Sequence, residues 1–88
     1  MRVMRVWVPR RVATRVADAP PDGGLVRIRN ETARTVYVDG ASVGVASGWP
    51  IARNQSDTFK VYASDKLYVY GTRAGWVRVM WEGDGDGG

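Results

Sequence analysis

The stretch from Thr58 to Trp81, which reads TFKVYASDKLYVYGTRAGWVRVMW, decides the fold that the sequence predicts. Three runs rich in β-branched and aromatic residues are separated by two segments with the composition of turns. The runs are Phe59–Tyr62, Leu67–Tyr70 and Trp76–Trp81. The stretch therefore predicts three short β-strands, and it contains no pattern of a reactive site.

The third run indicates how these strands face the core. Successive residues of a strand point to opposite sides, so one side of the run is apolar and the other is mixed. We expect the apolar side in the core and the mixed side in solvent. The apolar side holds Val77, Val79 and Trp81, and the mixed side holds Trp76, Arg78 and Met80.

Upstream residues continue the β pattern. Leu25–Asn30 alternates cleanly, Arg34–Val38 follows, and Asp39-Gly40 predicts a hairpin because both central residues of a type I′ turn need positive φ. Val43 and Val45 are then the expected return strand. Gly48-Trp49-Pro50-Ile51 is expected to be an extended corner, because a proline disfavours helix in the residue before it.

The fold class follows from these runs. No window has a sustained helical period, so we expect essentially no helix. We predict an all-β chain, a small antiparallel β-sandwich or barrel of six to seven short strands, with an extended N-terminal arm. The expected divisions are a basic arm and linker at residues 1–24, a β domain at 25–81 and a flexible acidic tail at 82–88.

Charge is distributed unevenly around a net charge of +4. Residues 1–16 hold five arginines and no acid, the middle of the chain is nearly balanced, and residues 82–88 hold three acids and no base. The tail alternates acids with glycine as a calcium loop does at its start. It lacks the later acidic ligand, so we expect no metal site there.

Composition excludes several classes of site. The 88 residues include no cysteine and no histidine, which excludes disulfides and the usual soft-ligand metal sites and removes the common nucleophile–base pairs. We expect no cofactor and no enzymatic activity. Asp39, Asp57 and Asp65 stand at predicted turns or strand ends, where an aspartate usually accepts hydrogen bonds from backbone N–H groups.

Size and hydropathy point to a small soluble protein with a partner. A core of this size only just offsets the entropy of ordering the chain, so a partner surface or self-association would add needed stability. No signal peptide and no segment long enough to span a bilayer is present, so no membrane partner is expected.

The arm is the first candidate binding site. Arginines, valines and a tryptophan alternate imperfectly up to Pro9, which fits an edge strand added to another protein's sheet. Binding of a nucleic acid by the arginines and the tryptophan is the less favoured alternative. We expect the arm to be mobile in solution and ordered when bound, with Trp7 as its anchor. The candidate residues are Arg2, Val3, Arg5, Val6, Trp7, Val8, Arg10 and Arg11.

Exposed aromatic residues form the second candidate site. Tyrosines at alternate strand positions are usually cross-strand pairs, and a groove for a carbohydrate or peptide is the less favoured alternative. We assign Tyr68, Tyr70 and Trp76 to a surface for self-association.

The order of the strand and turn motifs resembles small virion structural proteins of tailed bacteriophages. The motifs are a strand ending in asparagine, a VYV strand with Asp-Gly, a G-x-P-[IL] corner, a D-x-L-Y strand and a final V-x-V. They lie at Leu25–Asn30, Val36–Gly40, Gly48–Ile51, Ser64–Tyr68 and Val77–Val79.

This resemblance implies a binding role without catalysis. It suggests a capsid decoration or minor capsid protein, made in the host cytoplasm, that coats the phage head, often as a trimer. The resemblance covers about Leu25 to Trp81 and not residues 1–24, so binding of the major capsid protein through the arm is predicted from the residues of the arm. A head-fibre or tail-associated β module is the alternative. A small nucleic-acid-binding β-barrel is a third possibility, from the residues alone, and nucleic acid is the less expected partner.

Overall fold

The computed structural model describes residues 2–18, 23–40, 43–62 and 65–82 of the chain. Over these residues the protein forms eight β-strands and no helix, which confirms the all-β prediction. The strands are β1 (Arg2–Val8), β2 (Thr14–Asp18), β3 (Gly24–Asn30), β4 (Val36–Asp39), β5 (Trp49–Ile51), β6 (Ser56–Val61), β7 (Lys66–Gly71) and β8 (Gly75–Glu82).

The strands form two antiparallel sheets of four. Sheet A has the order β1-β8-β3-β6, and sheet B has the order β2-β7-β4-β5. The two sheets pack face to face as a sandwich, and in the described strands neither sheet closes into a barrel. Pairing of β1 with β8, β2 with β7, β3 with β6 and β4 with β5 is the strand order of a jelly roll.

The core between the sheets is built mainly from valine. Branched side chains pack well on a pleated surface, and each one contributes roughly 1.5–3 kcal/mol when it is fully buried. The predicted core side of β8 is confirmed, because Val77, Val79 and Trp81 are all buried. The other buried members of the cluster are Val8, Val16, Ala17, Val26, Ile28, Val36, Val38, Ile51, Val61 and Val69.

A buried asparagine joins the two sheets at one end of the sandwich. Asn30 ends β3 in sheet A and has no exposed surface. Its Nδ2 donates to the carbonyl of Ile51 in sheet B (2.9 Å) and to that of Arg34 (2.7 Å), and its Oδ1 accepts from the backbone N–H and the hydroxyl of Thr32 (2.8 and 2.7 Å). The amide therefore has every hydrogen-bonding position filled, as a buried polar group requires.

The predicted return strand at Val43 and Val45 is wrong. Residues 43–48 make turns, with the N–H of Val43 donating to the carbonyl of Gly40 (3.0 Å), and the strand that pairs with β4 is Trp49–Ile51. Gly48 brings this segment against β4, where a Cβ would lie 2.6 Å from the Cβ of Tyr37. Pro50 is tolerated in β5 because β5 is an edge strand.

The predicted boundary between an arm and a β domain at residue 24 does not match the structure. Residues 2–8 pair with β8 over their whole length, and residues 14–18 pair with β7, so each stretch is a strand of one sheet. The predicted edge strand in β1 is thus confirmed, but it belongs to this chain's own sheet. Residues 19–22 of the predicted linker and 83–88 of the predicted tail lie outside the described residues.

We predict that Asn30→Ala lowers the free energy of unfolding by about 2–4 kcal/mol, because it leaves the N–H of Thr32 and the carbonyl of Ile51 buried without this partner. Urea unfolding measures the change. The matched control is Gln55→Ala, which removes an exposed amide side chain and should change stability by no more than about 0.5 kcal/mol. Equal effects of the two substitutions would contradict the role given to Asn30.

Candidate functional site

The outer face of sheet A carries most of the side chains that could bind a partner. Because Val77 and Val79 of β8 point into the core, the intervening residues of β8 and their neighbours on β1 and β3 point outward. We define this surface, the outer face of sheet A, by Val3, Arg5, Trp7, Arg27, Arg29, Trp76, Arg78 and Met80.

Three arginines form a row across this face. Arg5 pairs with Arg78 across β1 and β8, and Arg78 pairs with Arg29 across β8 and β3. Neighbouring strands lie about 4.8 Å apart, so the row sets like charges side by side, which is destabilising unless a counter-charge is present. Without a counter-charge, the row would therefore lower the stability of the folded protein.

Glu31, just after β3, supplies the counter-charge. Its Oε2 lies 3.1 Å from Nε of Arg78 and 4.0 Å from Nε of Arg29, and its Oε1 lies 3.7 Å from Nε of Arg5. Nε of Arg78 is buried without a hydrogen bond among the described residues, so its contact with Glu31 is an ion pair by distance alone. One carboxylate thus serves three guanidinium groups, and the row remains strongly positive.

Two tryptophans border the arginine row. Trp7 and Trp76 are register partners on β1 and β8, and their rings meet edge to face with centroids 5.3 Å apart at 73°. The guanidinium of Arg5 lies 4.5 Å from the ring centroid of Trp76, a cation–π contact. Both indoles are still exposed, so they offer rigid apolar area to a partner.

The predicted arm residues separate into three groups. Val3, Arg5 and Trp7 lie on the outer face of sheet A. Val8 is fully buried and Val6 packs against the core, so neither can bind a partner. Arg2 lies beside the β1–β2 edge of the sandwich, and Arg10 and Arg11 lie in the connection from sheet A to sheet B.

That connection is held in place by the backbone. Arg11 has a left-handed backbone conformation (φ 59°), and its N–H donates to the carbonyl of Gly71 at the end of β7 (2.8 Å). Such a conformation costs energy in a residue other than glycine and persists only where contacts impose it. The expectation of a mobile arm is therefore wrong for the residues from β1 to β2.

The predicted self-association residues do not form one surface. Tyr68 and Tyr70 lie on β7 opposite the buried side chain of Val69, so they point outward from sheet B, where Tyr70 pairs with Tyr37 of β4. Trp76 lies on the outer face of sheet A. The structure thus places the tyrosines and the tryptophan on opposite sides of the sandwich.

Two of the three aspartates that the sequence assigned to turns or strand ends, Asp57 and Asp65, accept hydrogen bonds from backbone N–H groups. Oδ1 of Asp57 accepts from the N–H of Thr58 (2.9 Å), and Oδ2 of Asp65 accepts from the N–H of Tyr62 (2.7 Å). Within the described ranges, no group of three or more acidic, histidine or cysteine side chains could hold a metal ion. These residues also include no helix long and apolar enough to cross a membrane.

Comparisons with family models, curated proteins and solved structures gave no match to this chain. Sequence patterning placed Arg78 and Met80 in solvent, but it gave no indication that Arg5, Arg29 and Glu31 meet. The pairing of β8 with both β1 and β3 brings them together, and no local signal specifies that pairing.

Two valines of β1 test whether this strand belongs to the fold. We predict that Val8→Ala costs about 2 kcal/mol of unfolding free energy, because Val8 is 0% exposed in the core. The control is Val3→Ala on the same strand, which is 54% exposed and should cost no more than about 0.5 kcal/mol. Thermal or urea unfolding measures both. Small and equal losses would indicate that β1 is a detached arm after all.

Proposed function

We propose that the protein is a non-enzymatic structural protein of a tailed-phage virion, which decorates and stabilises the outer surface of the capsid through the outer face of sheet A. The observation that carries the proposal is the arginine row of Arg5, Arg78 and Arg29, which shares the carboxylate of Glu31 and is bordered by two exposed tryptophans. Arginine and tryptophan are the residue types most enriched at energetically important interface positions.

The partner surface should be acidic and flat. Glu31 alone cannot pair fully with three guanidinium groups, so carboxylates of a capsid subunit would form the remaining ion pairs. Charge-assisted hydrogen bonds between arginine and carboxylate favour such pairing. Trp7 and Trp76 would then be buried as anchors beside the charged row. Complementary charge would also accelerate encounter with the capsid.

The mode of attachment differs from that expected of a flexible arm. Trp7 and Arg5 lie on a strand that already pairs with β8, so binding would not require the strand to become ordered. A preformed surface loses less conformational entropy on association than a disordered segment does. The protein would dock as a rigid body.

Two observations support a partner in a virion. The motif order in the sequence resembles virion structural proteins of tailed phages, and the strand order is that of a jelly roll. Jelly rolls occur among viral capsid and lectin domains, so the fold supports the proposal as analogy only. A head-fibre or tail-associated module would use the same face on a different virion component.

The same face favours a second candidate, a single-stranded nucleic acid. Arginines at strand spacing next to exposed tryptophans combine a path for phosphates with rings on which bases can stack. Affinity for a nucleic acid would fall by roughly tenfold or more between low and moderate salt, because several phosphate contacts release counterions. Docking of the arginine row on an acidic capsid surface would also weaken with salt, so a comparison of oligonucleotide binding with head binding distinguishes the two partners.

We predict that Trp7→Ala weakens decoration of purified phage heads by roughly 2 kcal/mol or more, and that Arg78→Ala also weakens it. Co-sedimentation of the labelled protein with heads measures the affinity. The control is Gln55→Ala, an exposed residue that belongs neither to the outer face of sheet A nor to the tyrosine surface of sheet B, and it should leave decoration unchanged. Circular dichroism of each variant verifies the fold.

Two results would contradict the docking proposal. Equal decoration by Trp7→Ala and the unsubstituted protein would remove the outer face of sheet A from the attachment site. Tight, salt-sensitive binding to oligothymidine, without binding to heads, would favour the nucleic-acid function instead.

Self-association as a trimer is part of the proposal, and the outer face of sheet B is the surface that supports it. Tyr37 and Tyr70 are register partners there, and Tyr68 lies two residues along β7. We predict that sedimentation equilibrium shows a trimer that dissociates on substitution of both Tyr68 and Tyr70 by serine, while Trp76→Ala leaves it intact. A monomer at high concentration would show that this chain does not self-associate without the capsid.

A further inference from the structure

A groove opens between the edge strands β5 and β6, on the side of the sandwich away from β1 and β2. It arises because β5 has three residues and β6 has six, so part of β6 has no strand of sheet B facing it. The groove has a volume of about 580 Å³, within the range of roughly 300–1,000 Å³ that is typical of ligand sites.

Trp49 forms one wall of the groove and is held in place by an aspartate. The residue is 58% exposed, although its Nε1 donates a 2.6 Å hydrogen bond to Oδ2 of Asp57. Asp57 lies on the same side of β6 as Phe59 and the buried Val61, so its carboxylate points toward the space between the sheets. The indole is thus fixed by its N–H while much of its surface remains in contact with solvent.

The same carboxylate makes strand addition at β6 unfavourable. Oδ1 of Asp57 accepts from the N–H of Thr58, a backbone group that an added strand would need. An inward-pointing charge on an edge strand is a common protection against such pairing. The groove is therefore better suited to a compact ligand than to an extended peptide.

The remaining walls mix apolar and polar groups. Phe59 and Leu67 are half-buried and supply apolar surface. Ser47 provides a hydroxyl group and Asp57 a carboxylate. The charged groups of two other lining residues point elsewhere, because Lys60 places its ammonium group 5.6 Å from the ring centroid of Tyr62 and Asp39 pairs with the outward-facing Tyr68. The groove therefore combines apolar walls with a hydroxyl group and a carboxylate, unlike the basic outer face of sheet A.

We infer that this groove binds a neutral saccharide, with one pyranose ring stacked on Trp49. A sugar ring presents an apolar face of C–H groups to an aromatic ring, and hydroxyl groups at its rim that can pair with the hydroxyl group of Ser47 and the carboxylate of Asp57. A phosphate or other anion would meet the carboxylate of Asp57. The inference goes beyond the proposed docking function and uses a different surface.

The test uses the full-length ¹⁵N-labelled chain and a panel of defined sugars at millimolar concentrations. The probes are the methyl glycosides of glucose, galactose, mannose and N-acetylglucosamine, and the disaccharides cellobiose, maltose, lactose and chitobiose. We expect at least one sugar to shift the amide resonances of Ser47, Thr58 and Lys60 saturably, while those of Val3 and Arg29 stay in place.

Two substitutions assign the contacts. Trp49→Ala should lower the affinity for the responding sugar by about tenfold or more, because the stacking surface is lost. Since this change also removes the hydrogen bond to Asp57, Ser47→Ala serves as a second variant that leaves the indole and that hydrogen bond in place, and it should weaken binding as well. Trp7→Ala, on the outer face of sheet A, is the matched control and should leave the sugar affinity unchanged.

Three results would overturn the inference. The first is that no sugar of the panel gives a saturable shift in the groove. The second is that Trp49→Ala and Trp7→Ala bind the responding sugar equally. The third is that a capped peptide with the sequence of β6, SDTFKV, shifts the groove resonances when the sugars do not, which would make the groove a strand-addition site. None of these results depends on whether the protein binds phage heads.

Discussion

The buried amide of Asn30 is the interaction on which the arrangement of the two sheets depends. A core of valines resists water but has little directional preference, so apolar packing alone would allow one sheet to slide over the other. The bond from Asn30 in sheet A to the carbonyl of Ile51 in sheet B removes that freedom, because any slide would leave buried groups unpaired. Glu31 follows Asn30 directly, so the network also sets the position of the carboxylate that serves the arginine row.

Alternation in the sequence predicted much of the local structure. It identified five of the eight strands within one or two residues at most ends, and it assigned Val77, Val79 and Trp81 correctly to the core. Turn residues indicate where a strand ends but not which sheet the next strand joins. Of the described strands, only β4 and β5 are consecutive in the chain and adjacent in one sheet, so sites that depend on pairing, such as Arg5 with Arg78, could not be predicted from local patterns.

The error about the arm has the same physical origin. Val3, Arg5 and Trp7 alternate with residues that include Val6 and Val8, and this pattern fits any half-buried edge strand, whether its partner is another protein or β8 of the same chain. The linker composition of residues 17–24 favoured a separate arm. Instead β2 supplies Val16 and Ala17 to the core. The residues before position 19 therefore already form one strand in each sheet.

A carboxylate contacts the key side chains at each of the two candidate sites. Glu31 lies beside arginines that would otherwise repel one another, and Asp57 accepts a hydrogen bond from the indole of Trp49, so in both cases an acidic side chain contacts a candidate binding group and leaves it exposed. Strand β1 contributes to both the core and the outer face of sheet A. Val8 packs in the core, and Trp7, the residue before it, lies on the outer face. Folding and the proposed docking therefore depend on the same strand. The outer face of sheet A is complete only when β1 pairs with β8, so deletion of β1 would remove the core packing of Val8 together with the proposed attachment surface.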